Sequence, residues 1–329
     1  MTTVKLTYPD WPIARQTPLQ QGIWGDYIFI LNQEKKECDY WVVFEGLSQG
    51  ESAYCPKENT ILITAEPPTL KQYRPAFLDQ FATVIACRAD LNHPGIIIDQ
   101  PGLPWHVGRR QKDHVNLSWS KDYDELSAIT QYEKRKELSV ISSTKAFSDG
   151  HRLRLAFVSA LQNHFGDRID VFGRGIKEIG DKWDALAPYR YHLAIENCAV
   201  NDYWTEKISD PFLAGCYPIY YGCPNIEKYF PGKSLTKIDL QQPEQAIAII
   251  EECLARKRYE ESRQEIQEAR DAVLNRYNLF PMLASHLEKL AQQDRGTGKR
   301  VKIHLVPETS GTLWDYCLRG MRTISPRRW

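Results

Sequence analysis

Within YRYHLAIENCAVNDYWTEKISDPFLAG, two carboxylates, an amide and an ammonium group fall close together at Glu196, Asn197, Glu206 and Lys207. An apolar run ends in Glu196-Asn197, a polar loop follows, and Thr205-Glu206-Lys207 opens a helical pattern. Threonine at a helix start can cap free backbone amides, and those amides together with the helix dipole favour an anion. Lys207 adds a full positive charge at the same place. Donors so arranged suit a leaving group, such as a diphosphate, on which negative charge grows as a bond breaks. Arg154, near the start of another helical stretch, is a second cation for phosphate because its planar fork donates two parallel hydrogen bonds. For proton abstraction the candidate is Glu66, just past the apolar run TILITA, where α/β sheets present ligand groups. The prolines after it fix the turn; a structural carboxylate capping a loop is the alternative.

These residues need elements to hold them. The first third alternates β-rich runs with polar connectors: residues 4–8, 27–31, 40–46, 60–66, 82–88 and 95–99, runs that suit buried strands of a parallel sheet. A short helix is expected near Phe77 and Phe81. Residues 105–136 are polar and mixed in charge and read as an interdomain connection. A second series follows, with strands at 138–143, 169–173, 191–197, 217–222 and 235–240 and helices at 151–165 and 204–215. That alternation predicts another α/β sheet. From 242 to 293 the pattern is helical, broken near Pro281, and is expected to close the second domain. The division expected is 1–125, 126–290 and a tail, 291–329, rich in Lys, Arg and aromatic residues. That tail reads either as a dock for an anionic membrane surface or partner, or as a strap packed on the body.

Composition excludes several classes. The 329 residues carry 42 Lys plus Arg against 42 Asp plus Glu, so no net charge draws the chain to nucleic acid. The eight cysteines show no metal-ligand or CxxC spacing and read as reduced thiols. The N-terminus lacks a basic start followed by an apolar run, and no stretch is long enough to span a membrane. A cytoplasmic protein is expected, with peripheral contact at the inner membrane face if the tail binds lipid.

The ordered motifs over residues 138–240 resemble glycosyltransferase family 10, the α-1,3/α-1,4-fucosyltransferases, especially its bacterial members. Glu196-Asn197-Cys198, Tyr203-Trp204-Thr205-Glu206-Lys207 and Pro218-Ile219-Tyr220-Tyr221-Gly222 are similar to the family's donor-site pattern. PGKSLTKIDL (231–240), VISSTK with the Arg154 helix, and VFGRG (171–175) resemble its flanking elements. Cys198 stands where Ser is usual and Trp204 where a smaller residue is. The resemblance implies a GT-B fold, two Rossmann-like domains facing across a cleft. It also implies inverting transfer of L-fucose from GDP-fucose to a hydroxyl of a glycan acceptor. Arg154 and Lys207 would contact the diphosphate; Asn197, Tyr203 and Glu206 would hold the sugar and ribose end; Ser143, Gly173 and Glu196 complete the donor site. Glu206 has a plainer reading as an acid favoured by the helix dipole. Glu66 resembles the family's acceptor base. The alternatives are another NDP-sugar donor, or a non-catalytic binder of nucleotide sugars or glycans.

Other patterns carry less. Asp122-Tyr123-Asp124 is formally a DxD metal motif but reads as a solvated acidic turn, since no apolar strand precedes it. Gly173-Arg174-Gly175 lacks the third glycine of a dinucleotide fingerprint. The histidines share no liganding interval, and Cys198 reads as packing. No metal or cofactor is expected to be obligatory, with a divalent ion at most stimulatory, because cationic side chains and helix amides can neutralise the leaving group.

Overall fold

In the computed structural model, residues 1–9, 11–33, 36–111, 117–142, 144, 149–173, 175–293 and 298–308 are described, without the side chains of 111 and 117. The chain forms two compact units, Met1–Leu103 with Tyr277–Trp329, and Pro104–Arg276.

In the first unit the apolar runs are strands of one sheet, ordered Ile23–Trp24, Tyr27–Leu31, Thr2–Thr7, Tyr40–Phe44, Thr60–Thr64, Thr83–Ala86, Ile96–Ile98. All neighbours are parallel except the edge hairpin of Ile23–Trp24 with Tyr27–Leu31. Because side chains alternate across a strand, runs apolar at every position must be covered on both faces. Val42, Phe44, Ile61, Ile63 and Ile85 lie in one core with Leu279, Phe280, Leu283 and Leu287, while Trp41, Val43, Leu62, Val84 and Ala86 lie in another with Phe77, Leu78 and Phe81. The expected short helix is Pro75–Leu78.

The second unit has an all-parallel sheet ordered Ile169–Phe172, Lys136–Ile141, Tyr189–Ile195, Tyr217–Tyr221, Thr236–Lys237. Helices Asp149–Phe165, Glu206–Leu213 and Pro243–Ala255 connect or follow the strands. The first buries Arg154, Phe157, Val158, Leu161 and Phe165, one face at helical spacing. Leaving aside the edge strand Ile23–Trp24, both sheets begin in the doubly wound order 2-1-3-4-5. Such sheets bind ligands where the order reverses, between the C-terminal ends of the first and third strands.

Three expectations change. The connection 105–136 belongs to the second unit rather than dividing at 125: Trp105 and Val107 are buried, and Asp210 Oδ1 accepts the His106 and Val107 amides at 2.8 and 3.2 Å. Asp181 likewise accepts Gly108 N at 2.9 Å and Ser120 Oγ at 3.1 Å. The last helix, Leu279–Gln292, covers the first unit's sheet instead of closing the second domain, since Leu279, Phe280, Leu283 and Leu287 sit in that sheet's core. Nor does Pro281 break it. It lies in the first turn, where a missing N–H costs nothing, and the interruption falls in the π-helical turn Val273–Tyr277.

The tail takes the strap form as far as it is described. Val301–Leu305 pairs antiparallel with Glu51–Cys55, Leu305 is buried, and Glu308 Oε1 accepts Arg74 N at 2.7 Å. Residues 309–329 lie outside the described residues. Among the described residues no helix is long and apolar enough to cross a membrane.

Candidate active site

The second unit's reversal point falls between strands Lys136–Ile141 and Tyr189–Ile195, and the singled-out residues gather at their C-terminal ends. Arg154, 5% exposed on the helix after the first strand, donates from Nη1 to Asn197 Oδ1 just past the third. That bond spans the reversal point. Burial lowers the Arg154 pKa, which the Glu196 charge opposes. The helix start can come this close because residue 150 is glycine: a Cβ there would lie 1.8 Å from the Asn197 carbonyl oxygen. Gly173, at φ 139°, approaches the end of the first strand in the same way, its Cβ position 1.8 Å from the Ser142 carbonyl. Gly173 therefore shapes the rim through its backbone. Ser142 is buried there, and its hydroxyl has no partner among the described residues. Ser143 lies outside the described residues.

Thr205 is the N-cap of helix Glu206–Leu213, and its hydroxyl oxygen accepts the Lys207 amide at 3.2 Å. The buried Glu196 carboxylate holds this cap. Its Oε1 accepts Thr205 N at 2.8 Å and Thr205 Oγ1 at 2.9 Å, and its Oε2 lies 3.2 Å from Lys207 Nζ. Burial pushes the Glu196 carboxyl up against the pull of Lys207. Lys207 is lowered by burial, but Glu196 and Glu206 outweigh that and leave its pKa raised, so the ammonium stays charged. Burial also acts to raise Glu206, yet Lys207, Lys182 and His106 hold it well below the usual carboxylate range. Glu206 Oε1 lies 3.3 Å from Lys182 Nζ and 3.6 Å from His106 Nδ1. Tyr203 is buried beside this cluster in sequence, and Trp204 packs edge-on against Tyr229 and Phe230. The bulk of Trp204 is thus absorbed by aromatic packing.

Sequence reading missed Lys182, His106 and Asp210. Lys182 bridges Glu206 and Asp210, the latter at 3.2 Å. They come from three separate segments, and no local pattern joins them. The DxD motif resolves into a helix cap: Asp122 Oδ1 accepts Glu125 N and Glu125 Oε2 accepts Asp122 N, both at 2.9 Å.

Glu66 stands in the first unit, half-buried, two residues beyond strand Thr60–Thr64. Its amide donates to Oε1 of Glu45 at 2.9 Å.

Geometry and fold combine an anion-favouring helix start and two cations at the reversal point of a doubly wound sheet. Residues 131–262 match the family described as Glycosyltransferase family 10 (fucosyltransferase) C-term. That match covers the sheet and the helix starts just described, and each of the two units is built on a doubly wound α/β sheet. It is similar to GDP-fucose protein O-fucosyltransferase 3 of Danio rerio, 38% identical over 69 residues, which are 21% of this chain and 15% of that protein. Alpha-(1,3)-fucosyltransferase B of Drosophila melanogaster is 34% identical over 94 residues, 28% of this chain and 21% of the other. The matched stretches span about a seventh and about a fifth of the length of these relatives. A solved structure of an α1,3-fucosyltransferase with GDP is 17% identical, with a TM-score of 0.49 over 91% of this chain and 93% of that one.

Proposed function

We propose that the protein is an inverting fucosyltransferase that takes L-fucose from GDP-fucose to a hydroxyl of a glycan acceptor. The observation that carries this reading is the pairing of Arg154 and Lys207 at the reversal point within the family 10 domain, with Asn197 bonded to one and Glu196 to the other. The names of the relatives, which include GDP-fucose and α-(1,3)-fucosyl transfer, support the donor and the sugar.

In this reading the diphosphate lies on the Thr205–Lys207 helix start and against the Arg154 guanidinium. As the bond from the anomeric carbon to phosphate oxygen breaks, charge grows on GDP, where these fixed donors stabilise it. Asn197, Tyr203 and Glu206 orient the sugar and ribose end. The acceptor oxygen attacks the opposite face while Glu66 takes its proton, so the hydroxyl hydrogen ends on the Glu66 carboxylate and the oxygen on the sugar carbon. No step calls for a metal, because the cations are supplied by side chains.

The test is GDP-fucose turnover across an array of galactose- and N-acetylglucosamine-containing acceptors, with the linkage read by NMR, beside calorimetry with GDP and UDP. Fucosyl transfer with inverted anomeric configuration and preference for GDP is expected; preference for UDP, or no transfer to any acceptor, overturns the reading. Glu66→Gln should lower kcat by about 10²- to 10⁴-fold, the usual weight of a general base, with GDP affinity unchanged.

A further inference from the structure

The loop carrying Glu66 is built around one buried carboxylate. Glu45 follows strand Tyr40–Phe44 in the left-handed region, φ 66°, and is 4% exposed. Its amide still donates to Ile63 O at 2.8 Å, which fixes its backbone to the neighbouring strand. Its Oε1 accepts the successive amides of Ala65 and Glu66 and the Tyr73 hydroxyl, the last at 2.6 Å. Its Oε2 accepts Lys71 Nζ at 3.0 Å, and Lys71 Nζ also reaches the Glu45 carbonyl at 3.0 Å.

A chain segment of nine residues, 65 to 73, is therefore gathered on a single side chain, by two amides at one end and by Lys71 and Tyr73 at the other. A hydrophobic residue would fill the space at lower desolvation cost, since a buried ion pair is a poor route to stability alone. What the carboxylate supplies is direction: two adjacent N–H groups aimed at one oxygen set the peptide plane from which the Glu66 side chain departs. Arg88 fixes the far side by donating to the Lys71 carbonyl, and Glu308 lies 3.9 Å from Lys71 Nζ. Tyr73 is held well above its ordinary value by burial and then by the charges of both Glu45 and Glu66, so the Glu66 carboxylate is electrostatically close to this hub.

We infer that Glu45 is the positioning residue for Glu66, orienting the base through the Ala65–Glu66 amides with Lys71 and Tyr73 as counterweights. The inference rests on Glu66 being the acceptor base. Glu45→Gln keeps the shape but presents an amide to Lys71 and removes the nearer of its two carboxylates, leaving Glu308 at 3.9 Å; Lys71→Met removes the cation that faces the Glu45 carboxylate.

The experiment measures kcat and KM for GDP-fucose transfer against pH for wild type, Glu45→Gln, Lys71→Met, Tyr73→Phe and Glu66→Gln, each checked for folding by thermal melting. Glu45→Gln should lower kcat about tenfold or more, the effect of misplacing a reacting group by a fraction of an ångström, with donor KM within about twofold. The charge changes add a signature that loosened structure lacks. The acidic limb of kcat moves to lower pH in Glu45→Gln, where an extra positive charge favours carboxylate, and to higher pH in Lys71→Met, each by about half a unit. Tyr73→Phe, which removes one hydrogen bond and no charge, lowers kcat without moving the limb. If both charge variants scale the profile without shifting it, or shift it in the same direction, the positioning role is overturned. Should Glu45→Gln fail to fold, the limb in Lys71→Met and the kcat of Tyr73→Phe decide in the same way. If Glu66→Gln alone turns over like wild type, the base assignment falls first and this inference with it.

Discussion

At the scale of single residues, Glu196 and Lys207 show how the cation proposed to meet the diphosphate is kept in place. Glu196 is nearly fully buried, whereas Lys207 keeps about a quarter of its side chain exposed, 3.2 Å away. Lys207→Met would leave Glu196 without its cation, and the cost should be about 3 kcal/mol, the lower end for breaking a buried pair because Lys207 is partly solvated. Adding Glu196→Gln to that variant should recover most of the melting temperature but none of the GDP affinity. Calorimetry and thermal melting on both variants check this; recovery of binding would show that Lys207 serves structure only. Glu196, Asn197, Thr205 and Lys207 were legible in the sequence because the cap and the strand end are local features. Lys182, which adds to Lys207 in holding Glu206 ionised, and His106 beside it were not.

Among the elements, close approach of helix Asp149–Phe165 to the loop after strand Tyr189–Ile195 decides whether Arg154 meets Asn197. Gly150→Ala would drive a methyl into the Asn197 carbonyl. A fall of about tenfold in GDP affinity with a folded protein is the expected outcome, since the two ends of the Arg154–Asn197 bond are forced apart; unchanged affinity would show that the loop yields freely. Strand Tyr189–Ile195 carries a pH response as well. His192 is buried, its Nδ1 2.8 Å from Ser139 Oγ, and burial lowers its pKa to about 3. The Ser139 hydroxyl donates to the Ala185 carbonyl at 2.8 Å, so the ring supplies the other proton and is neutral when folded. Above the unfolded-state value of about 6.5 neither state is protonated and the full stability is present. Below it only the unfolded chain takes the proton, so stability falls by about 1.4 kcal/mol per pH unit. Denaturant unfolding of wild type between pH 6.5 and 5 should therefore lose about 2 kcal/mol more than His192→Gln. Equal losses would mean that His192 is not the responding group.

For the whole molecule, chain order and spatial grouping part company. The proposed donor residues, their sheet and the segments that Asp210 and Asp181 hold all lie in Pro104–Arg276, whereas Met1–Leu103 obtains one covering layer from Leu279–Gln292 and a partner for strand Glu51–Cys55 from Val301–Leu305. A fragment of 104–276 should fold and bind GDP within about tenfold of the full chain, and residues 1–103 alone should not melt cooperatively, because an uncovered sheet face cannot offset chain entropy. Circular dichroism and calorimetry on the two fragments test this. What the sequence determined by itself was local: apolar runs that must be strands covered on both faces, a capped helix start beside a cation, and ordered motifs that resemble those of family 10. Each depends on neighbours a few residues apart, or on a pattern repeated along the chain. Only the tertiary structure decided which helix covers which sheet, that Asp210 and Asp181 draw the polar connection into the second unit, and that Glu45 gathers the Glu66 loop. The reason is physical: an apolar helix face is satisfied by either sheet, and a buried carboxylate is satisfied by any cation and amides that reach it. The partners are chosen where strands from distant parts of the sequence bring their ends together.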